Sequence, residues 1–478
     1  MTKKAEQELG ALGAQPVNGE EKQRMHERFH YRSLEELEAA VQQLGLDITF
    51  DRDLSPLARP VEVYGHRTPN SLAIHPMEGC DGTADGKPDE LTFRRYQRFG
   101  AGGAGLLWFE ATAVAHEGRA NPRQLYASPE NVTALARLRE AALKAAKEAM
   151  GPDHEPLCVL QLTHSGRYSK PDGAPKPVIA QHNPFLDPRV GIGPDYPVIT
   201  DDELERLEDR YVQAARVAAA TGFHVIDIKS CHRYLVSELL GSHLREGRYG
   251  GSFENRTRFL LNIVDKIRAE LGGDVQIALR MNTWDGLPYP YGWGVSRDTE
   301  GDQPGSLPVD LTEPDRLLGE LSRRGVRLAS LSLANPYHIP YLTRPYDTPP
   351  NGLPIPDEHP LVGVARAFHV ARELKARHPK ITVIGTAYSW LRQFLGNAAA
   401  ANLRLGHQSI AAVGREAFAY PTFARDLLEK GALDPAKVCI ACSKCTDIMR
   451  DGGRTGCVVR DSEIYLPIYQ EGVRNRKA

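Results

Sequence analysis

Residues 223–259 read FHVIDIKSCHRYLVSELLGSHLREGRYGGSFENRTRF, and this stretch changes character halfway. Val225, Ile226 and Ile228 have the β-branched, apolar make-up of a buried strand. Where that strand should end come Lys229, Ser230, Cys231, His232, Arg233 and Tyr234. Gly250 and Gly251 make a turn, and a helical pattern carrying Asn255 and Arg256 follows. Proton donors and anion binders crowded at one strand end suit a ligand site better than plain packing.

The same rhythm extends outward in both directions. Apolar strands are expected at 72–77, 105–114, 157–164, 224–230, 276–282, 328–334, 381–387 and 409–416. Amphipathic helices are expected between them at 91–99, 131–150, 202–220, 253–271, 314–324, 361–378, 390–405 and 423–430. Ser33 with Glu36, Thr200 with Glu203 and Thr312 with Asp315 have the spacing of helix N-terminal caps. Eight strands, each followed by a helix, predict an α/β protein of the (β/α)8 TIM-barrel class, with an open doubly wound sheet as the alternative. A barrel places its chemistry at the C-terminal strand ends. Polar residues fall there: His75 and Glu78, Glu110, Gln161 and His164, Lys229 and His232, Arg280, Thr386 and Arg415. The loops at 287–294 and 335–350 are long and rich in Pro, Tyr and Trp, as pocket-building loops are.

Three parts are expected: an N-terminal extension (1–60), disordered to about residue 30; the barrel (61–431); and a C-terminal extension (432–478). The 478 residues are 41% hydrophobic and 25% charged, enough for a large core. A net charge of -2 gives no field for nucleic acid or anionic membrane. No apolar run approaches the roughly 20 residues of a membrane span, and the polar start lacks a signal-peptide centre. A cytoplasmic location is expected by default.

Several motifs read as structure. GAGGAG at 100–105 ends a helix and leads into a strand, the reverse of a dinucleotide-binding loop. Asp81, Asp85 and Asp89 read as a solvated turn, since the terminal Glu of a calcium loop is missing. Others point to a ligand. Gly385-Thr386 and Gly414-Arg415 close the last two strands, where barrels hold phosphate. Gln161 and Arg280 could hydrogen-bond a heteroaromatic ring and stabilise it when it becomes anionic.

FHVIDIKSCHRYL with YGGSFENRTRF resembles the Old Yellow Enzyme family of FMN-dependent oxidoreductases. HPM at 75–77, GAGLLWFEATAV at 103–114, QLTHSGR at 161–167, ALRMN at 278–282 and VGRE at 413–416 follow in the family's order. The resemblance implies that Pro76, Met77 and Ala111 line FMN and that Gln161 binds its pyrimidine part. It implies that Arg280 stabilises the N1/O2 edge, and that Gly385, Thr386, Gly414 and Arg415 hold the phosphate. Lys229 and His232 would bind a substrate carbonyl or anion, and Tyr234 would donate a proton. Lys229 replaces the usual histidine, which points toward an anionic substrate group or toward different chemistry. Arg233 stands in place of a small glycine and would add a cation or narrow the pocket. Glu78 stands where a Thr or Cys commonly touches the flavin, and a carboxylate in contact with the ring would make it harder to reduce.

Cys439, Cys442, Cys445 and Cys457 have the spacing C-x2-C-x2-C-x11-C. Four thiolates so spaced can hold a [4Fe–4S] cluster or a tetrahedral zinc, with free thiols the third reading. Similar iron–sulfur members of the family, dienoyl-CoA reductase and trimethylamine dehydrogenase among them, carry a cluster after the eighth helix. With the last residue at Ala478, no pyridine-nucleotide domain is expected after the cysteines. Electrons are therefore expected from NAD(P)H at the flavin or from a separate donor protein. The expected activity is hydride transfer through FMN to an activated alkene or related small acceptor. Alternatives are dehydrogenation or demethylation of a small substrate, and an electron-transfer subunit without chemistry of its own. A homo-oligomer is expected.

Overall fold

The computed structural model describes residues 25–477. Eight parallel strands close a barrel in chain order: β1 (Leu72–Ile74), β2 (Leu106–Ala113), β3 (Leu157–Thr163), β4 (Val225–Ile228), β5 (Gln276–Asn282), β6 (Leu328–Ser332), β7 (Thr382–Gly385) and β8 (Ile410–Val413). The seam pairs Ala411 with Leu72, Ala412 with Ala73 and Val413 with Ile74. Helices α1 (Glu90–Gly100), α2 (Val132–Met150), α3 (Asp201–Ala220), α4 (Phe253–Leu271), α5 (Thr312–Arg323), α6 (Pro360–Arg377), α7 (Leu395–Arg404) and α8 (Phe423–Lys430) surround it. This is the expected TIM barrel.

The differences from expectation are local. Most strands stop two or three residues early, because the chain turns into the mouth there. A 3-10 segment, Tyr388–Phe394, occupies what was expected as the first turns of α7. Thr200 and Glu203 form the full capping box of α3. Thr312 does not cap α5. It is the first helical residue, and its N–H donates to Asp310 Oδ1 at 2.9 Å. The GAGGAG glycines serve close packing: a Cβ on Gly100 would lie 2.1 Å from the Ala142 carbonyl on α2.

Strand alternation explains how a packed barrel acquires a polar top. Successive residues face opposite sides of a strand. Val225, Ala278, Leu328, Val159 and Trp108 belong to an inner cluster that fills the barrel, while Ile226, Ile228, Leu160 and Leu279 join the core beneath the helices. Two residues on, the inward positions become Gln161, Asp227 and Arg280, and then Lys229. Asp227 is fully buried. It accepts from Trp108 Nε1 at 2.9 Å, Gln161 Nε2 at 2.5 Å and the Arg280 N–H at 2.7 Å. Burial raises the Asp227 carboxyl to about 6, opposed by these donors, so it is charged at neutral pH.

A second buried charge cluster joins β2 to α1. Arg95 pairs with Asp81 at 2.8 Å and with Glu110 at 2.7 Å. The register shift between Phe109 and Thr112 accompanies the placement of Glu110 against the helix. Asp81 is therefore not part of a solvated turn, unlike Asp85, which is exposed beside Lys87, and Asp89, which caps α1.

Disorder was expected to about residue 30: residues 1–24 lie outside the described residues, and residues 25–30 depart from the expectation, with Phe29 buried. From residue 25 the chain packs on the barrel. Phe29 meets Trp390 edge-on at 5.3 Å, and the helix Leu34–Gln43 buries Leu34, Leu37 and Val41. Asp347, on the loop after β6, accepts from the Phe29 N–H at 3.2 Å and from Trp390 Nε1 at 2.7 Å. Its own N–H donates to the Ala441 carbonyl at 3.0 Å, tying the C-terminal segment to the same node.

Arg95→Met leaves two buried carboxylates without their cation and is expected to cost about 3–5 kcal/mol. A lowered urea midpoint at unchanged slope is the readout. A loss below about 1 kcal/mol would contradict a charge-paired core here. For Asp227 the folded value of about 6 lies above the ordinary 3.8. The folded state thus holds this proton more tightly, and its contribution falls as pH rises from 3.8 to 6 and is constant above. The Tm of the native chain minus that of Asp227→Asn should shrink over that window in thermal melts and then level off. A difference independent of pH from 4 to 7 would contradict it.

Candidate functional site

The barrel mouth opens into a cleft of about 1080 Å³, including its solvent-facing part. His75, Pro76, Met77 and Glu78 follow β1, and Lys229, His232 and Tyr234 follow β4. Arg280 enters from β5, Tyr337 and Thr343–Pro345 from the loop after β6, Thr386 from β7, and Gly414 with Arg415 from β8. Cys445, Thr446, Met449 and Thr455 of the C-terminal segment form one wall. The Thr455 N–H donates to the Gly79 carbonyl at 2.6 Å and pins that wall to the β1 loop.

Nine of the twelve residues expected to bind flavin or substrate line this cleft: Pro76, Met77, Lys229, His232, Tyr234, Arg280, Thr386, Gly414 and Arg415. Three lie outside its lining. Ala111 is buried within β2, and its carbonyl accepts from Gln124 Nε2 at 3.0 Å. The Gln161 amide N–H is held by Asp227. Gly385 is covered by Gln408, whose Oε1 would lie 1.5 Å from an added Cβ.

The polar groups fall into two sets. The first has free hydrogen-bonding capacity. Both ring nitrogens of His75, Arg280 Nε and Arg415 Nη1 are buried without a partner among the described residues. Unsatisfied buried donors facing a cleft are costly unless a ligand meets them. Burial and the Arg280 charge hold His75 well below the usual imidazole range, so it is neutral. These groups suit a flat heteroaromatic system carrying an anionic phosphate, which is the test FMN must pass.

The second set is internally paired. Lys229 Nζ lies 3.3 Å from Glu78 Oε1 and 3.7 Å above the centre of the Tyr234 ring. The Tyr234 and Tyr337 hydroxyls share a hydrogen bond of 2.7 Å, and Tyr234 also reaches Glu78 at 3.5 Å. Tyr168 stacks on Tyr337 with ring centres 4.3 Å apart. Burial and the Glu78 charge push the Tyr234 phenol well above its ordinary value, so it keeps its proton at neutral pH. His232 holds a positive φ of 64° and meets Ser332 Oγ at 3.2 Å. Burial, then the charges of Arg280 and Lys229, keep it neutral, a hydrogen-bonding group rather than a cation.

Two sequence expectations change. Arg233 neither adds a cation to the pocket nor narrows it. Its side chain is fully buried and pairs with Asp285 at 2.8 Å. Glu78 turns to Lys229 and Tyr234, so it neutralises the cation that was expected to attract anions. Tyr168, Tyr337 and Arg344 were not expected as site residues. Tyr337 and Arg344 lie within the aromatic loop 335–350, which was the signal available.

Beside the cleft is a smaller cavity lined by Cys439, Cys442, Cys445 and Cys457. Arg415, Phe418 and Cys445 line both. Ala441 and Ser443, at φ 51° and 60°, place a left-handed residue within each Cys-x2-Cys interval. Backbone N–H groups aim at sulfur: Ala441 at Cys439 Sγ (3.4 Å) and Arg460 at Cys457 Sγ (3.3 Å). Without a metal, burial raises the Cys457 thiol to about 11. Among the described residues, no three His, Cys, Asp or Glu side chains converge closely enough to hold a single metal ion.

Comparison with known proteins agrees with this fold. Residues 56–288, from before β1 to just past β5, match the NADH:flavin oxidoreductase / NADH oxidase family. An NADPH dehydrogenase of Geobacillus sp. is 33% identical over 228 residues, covering 47% of this chain and 62% of the relative. An N,N-dimethylglycine/sarcosine dehydrogenase of Chromohalobacter salexigens is 32% identical over 130 residues, 27% of this chain and 18% of the relative. The chain thus spans about three-fifths of the first relative's length and far less of the second's. In fold, the structure is similar to 2-naphthoyl-CoA reductase, with TM-score 0.66 and 19% identity, over 88% of this chain and 58% of that one. It is also similar to morphinone reductase, with TM-score 0.55 and 22% identity, over 80% and 93%. Through residues 56–288, a little under half of its length, this chain is thus similar in sequence to the NADH:flavin oxidoreductase / NADH oxidase family.

Proposed function

We propose that the protein is an FMN-dependent oxidoreductase that reduces an activated alkene or related small acceptor, with NAD(P)H or a donor protein as the electron source. The observation that carries this reading is the cleft itself. Arg280 Nε and Arg415 Nη1, buried without a partner among the described residues, share the cleft with a neutral His75 and with a hydroxyl pair whose proton is held for delivery. FMN, when bound, supplies hydride chemistry at N5.

The chain's own residues supply the rest. Pro76 and Met77 offer an apolar wall, and Arg280 offers a fixed cation for negative charge on the ring. Thr386, Gly414 and Arg415 would hold the phosphate. His232, neutral and hydrogen-bonded to Ser332, would donate to a substrate carbonyl. Tyr234 would donate the proton, and Tyr337 at 2.7 Å is placed to replace it. Lys229 would act through its pairing with Glu78, keeping that corner nearly neutral overall. This makes a simple anion site at Lys229 less suited than a carbonyl at His232.

We further infer that Cys439, Cys442, Cys445 and Cys457 hold a [4Fe–4S] cluster. A lone zinc would draw its thiolates to about 3.8 Å from one another, given bonds of about 2.3 Å. The four cysteines instead surround a cavity, with N–H groups directed at two of the sulfurs. Such donors tune iron–sulfur sites.

A second reading, oxidation of a small amine, is favoured by one feature. Tyr337 lines the cleft with the Tyr168 ring stacked on it, and an aromatic face suits a cation. The similarity to an N,N-dimethylglycine/sarcosine dehydrogenase is in keeping with it.

Anaerobic mixing of the purified protein with NADH or NADPH should bleach the flavin bands, and 2-cyclohexenone should restore them. Bleaching by dimethylglycine or sarcosine, with none by either nucleotide, would replace the first reading with the second. No flavin band in protein supplied with FMN would overturn both.

A further inference from the structure

We infer that Arg344, on the loop after β6, is a second phosphate-binding guanidinium beside Arg415, and that the cysteine-bearing segment holds it in place. The inference rests on the FMN reading above and concerns a residue outside the strand ends expected to bind phosphate.

Thr343, Arg344 and Pro345 line the same cleft as Thr386, Gly414 and Arg415. Arg415 Nη2 donates to the Pro345 carbonyl at 2.6 Å. The residue directly after Arg344 therefore hangs from the guanidinium at the end of β8. Arg344 Nε and Nη2, Arg415 Nη1 and Thr343 Oγ1 are all buried without a partner among the described residues. Four unsatisfied donors gathered at one end of a cleft call for an acceptor with several oxygens. Two like charges brought this close oppose one another. Burial and the neighbouring Arg415 charge both weigh against the Arg344 guanidinium. An anion between them removes both costs.

The charge count favours a phosphate monoester. Such a group carries about 1.5–2 negative charges at neutral pH. Arg415 alone leaves a residual negative charge in a buried site, whereas two guanidiniums match it. Lys229 is not available for this balance, since Glu78 already pairs with it.

The loop does not hold this position by itself. The Asp347 N–H donates to the Ala441 carbonyl at 3.0 Å, and the Asn351 N–H donates to Asp447 Oδ1 at 2.8 Å. Both acceptors belong to the cysteine-bearing segment. Cys445, on that segment, shares the cleft with Arg344. Retention of the phosphate end is thus mechanically joined to the segment next door.

The test compares two flavins that differ only in the phosphate. The full-length protein is loaded with FMN or with riboflavin and diluted, and release is followed by recovery of flavin fluorescence. In Arg344→Gln, the Kd for FMN should rise roughly 10- to 100-fold while that for riboflavin stays unchanged. Arg344→Lys should recover much of the loss. Riboflavin binding also reports that the variant is folded. Equal weakening of both flavins would make Arg344 a structural residue and overturn the inference. Unchanged FMN affinity would overturn it as well. If the native chain prefers FMN over riboflavin and Arg344→Gln keeps that preference, this inference alone fails. If the native chain binds neither flavin, the cofactor reading fails with it.

Discussion

The buried carboxylate of Asp227 sets the geometry on which the mouth of the barrel depends. Three elements donate to it at once: the indole of Trp108 from β2, the amide of Gln161 from β3 and the backbone of Arg280 on β5. A charged group inside a barrel is tolerable only when its lone pairs are filled, and these donors fill them. Below this level the interior is apolar and tightly filled. Above it the inward positions become Lys229 on one strand and the Arg280 side chain on another. Asp227 is therefore the boundary between a core that only holds and a surface that can act. It also fixes the β5 backbone that carries the Arg280 side chain into the cleft before any ligand arrives.

The C-terminal segment is the second constraint. It walls the cleft through Cys445, Thr446, Met449 and Thr455, and it is fastened to the barrel at both sides. Arg94 pairs with Asp461 at 2.7 Å on one side, and Asp347 holds Ala441 on the other. The cysteine cavity shares Arg415, Phe418 and Cys445 with the cleft, so only a few side chains lie between the two. That arrangement would serve electron exchange between a cluster and a flavin.

Much of this was legible because alternation and helical periodicity are local signals. Val225, Ile226 and Ile228 identify β4 without reference to any other residue, and α4 begins and ends where its pattern does, at Phe253 and Leu271. Thr200 with Glu203 forms its cap from four consecutive residues. What was not legible depends on residues far apart in the chain. Glu78 and Lys229 are 151 residues apart, and nothing local indicates that one neutralises the other. Arg233 looked like a pocket residue because it stands between His232 and Tyr234. A positive φ of 58° and a pairing with Asp285 turn it into the core instead. Tyr337 and Arg344 lie in a loop whose composition marked it as pocket-forming, but composition does not say which of its side chains enter.

The proposed function has a flavin and an iron–sulfur cluster side by side in one chain. The direct measurement is the FMN, iron, acid-labile sulfide and zinc content of the anaerobically purified full-length protein, with its visible spectrum. One FMN, four iron and four sulfide per chain are expected, with flavin bands on a broad iron–sulfur absorbance. Stoichiometric zinc without iron, or a colourless protein that takes up no FMN, would contradict it.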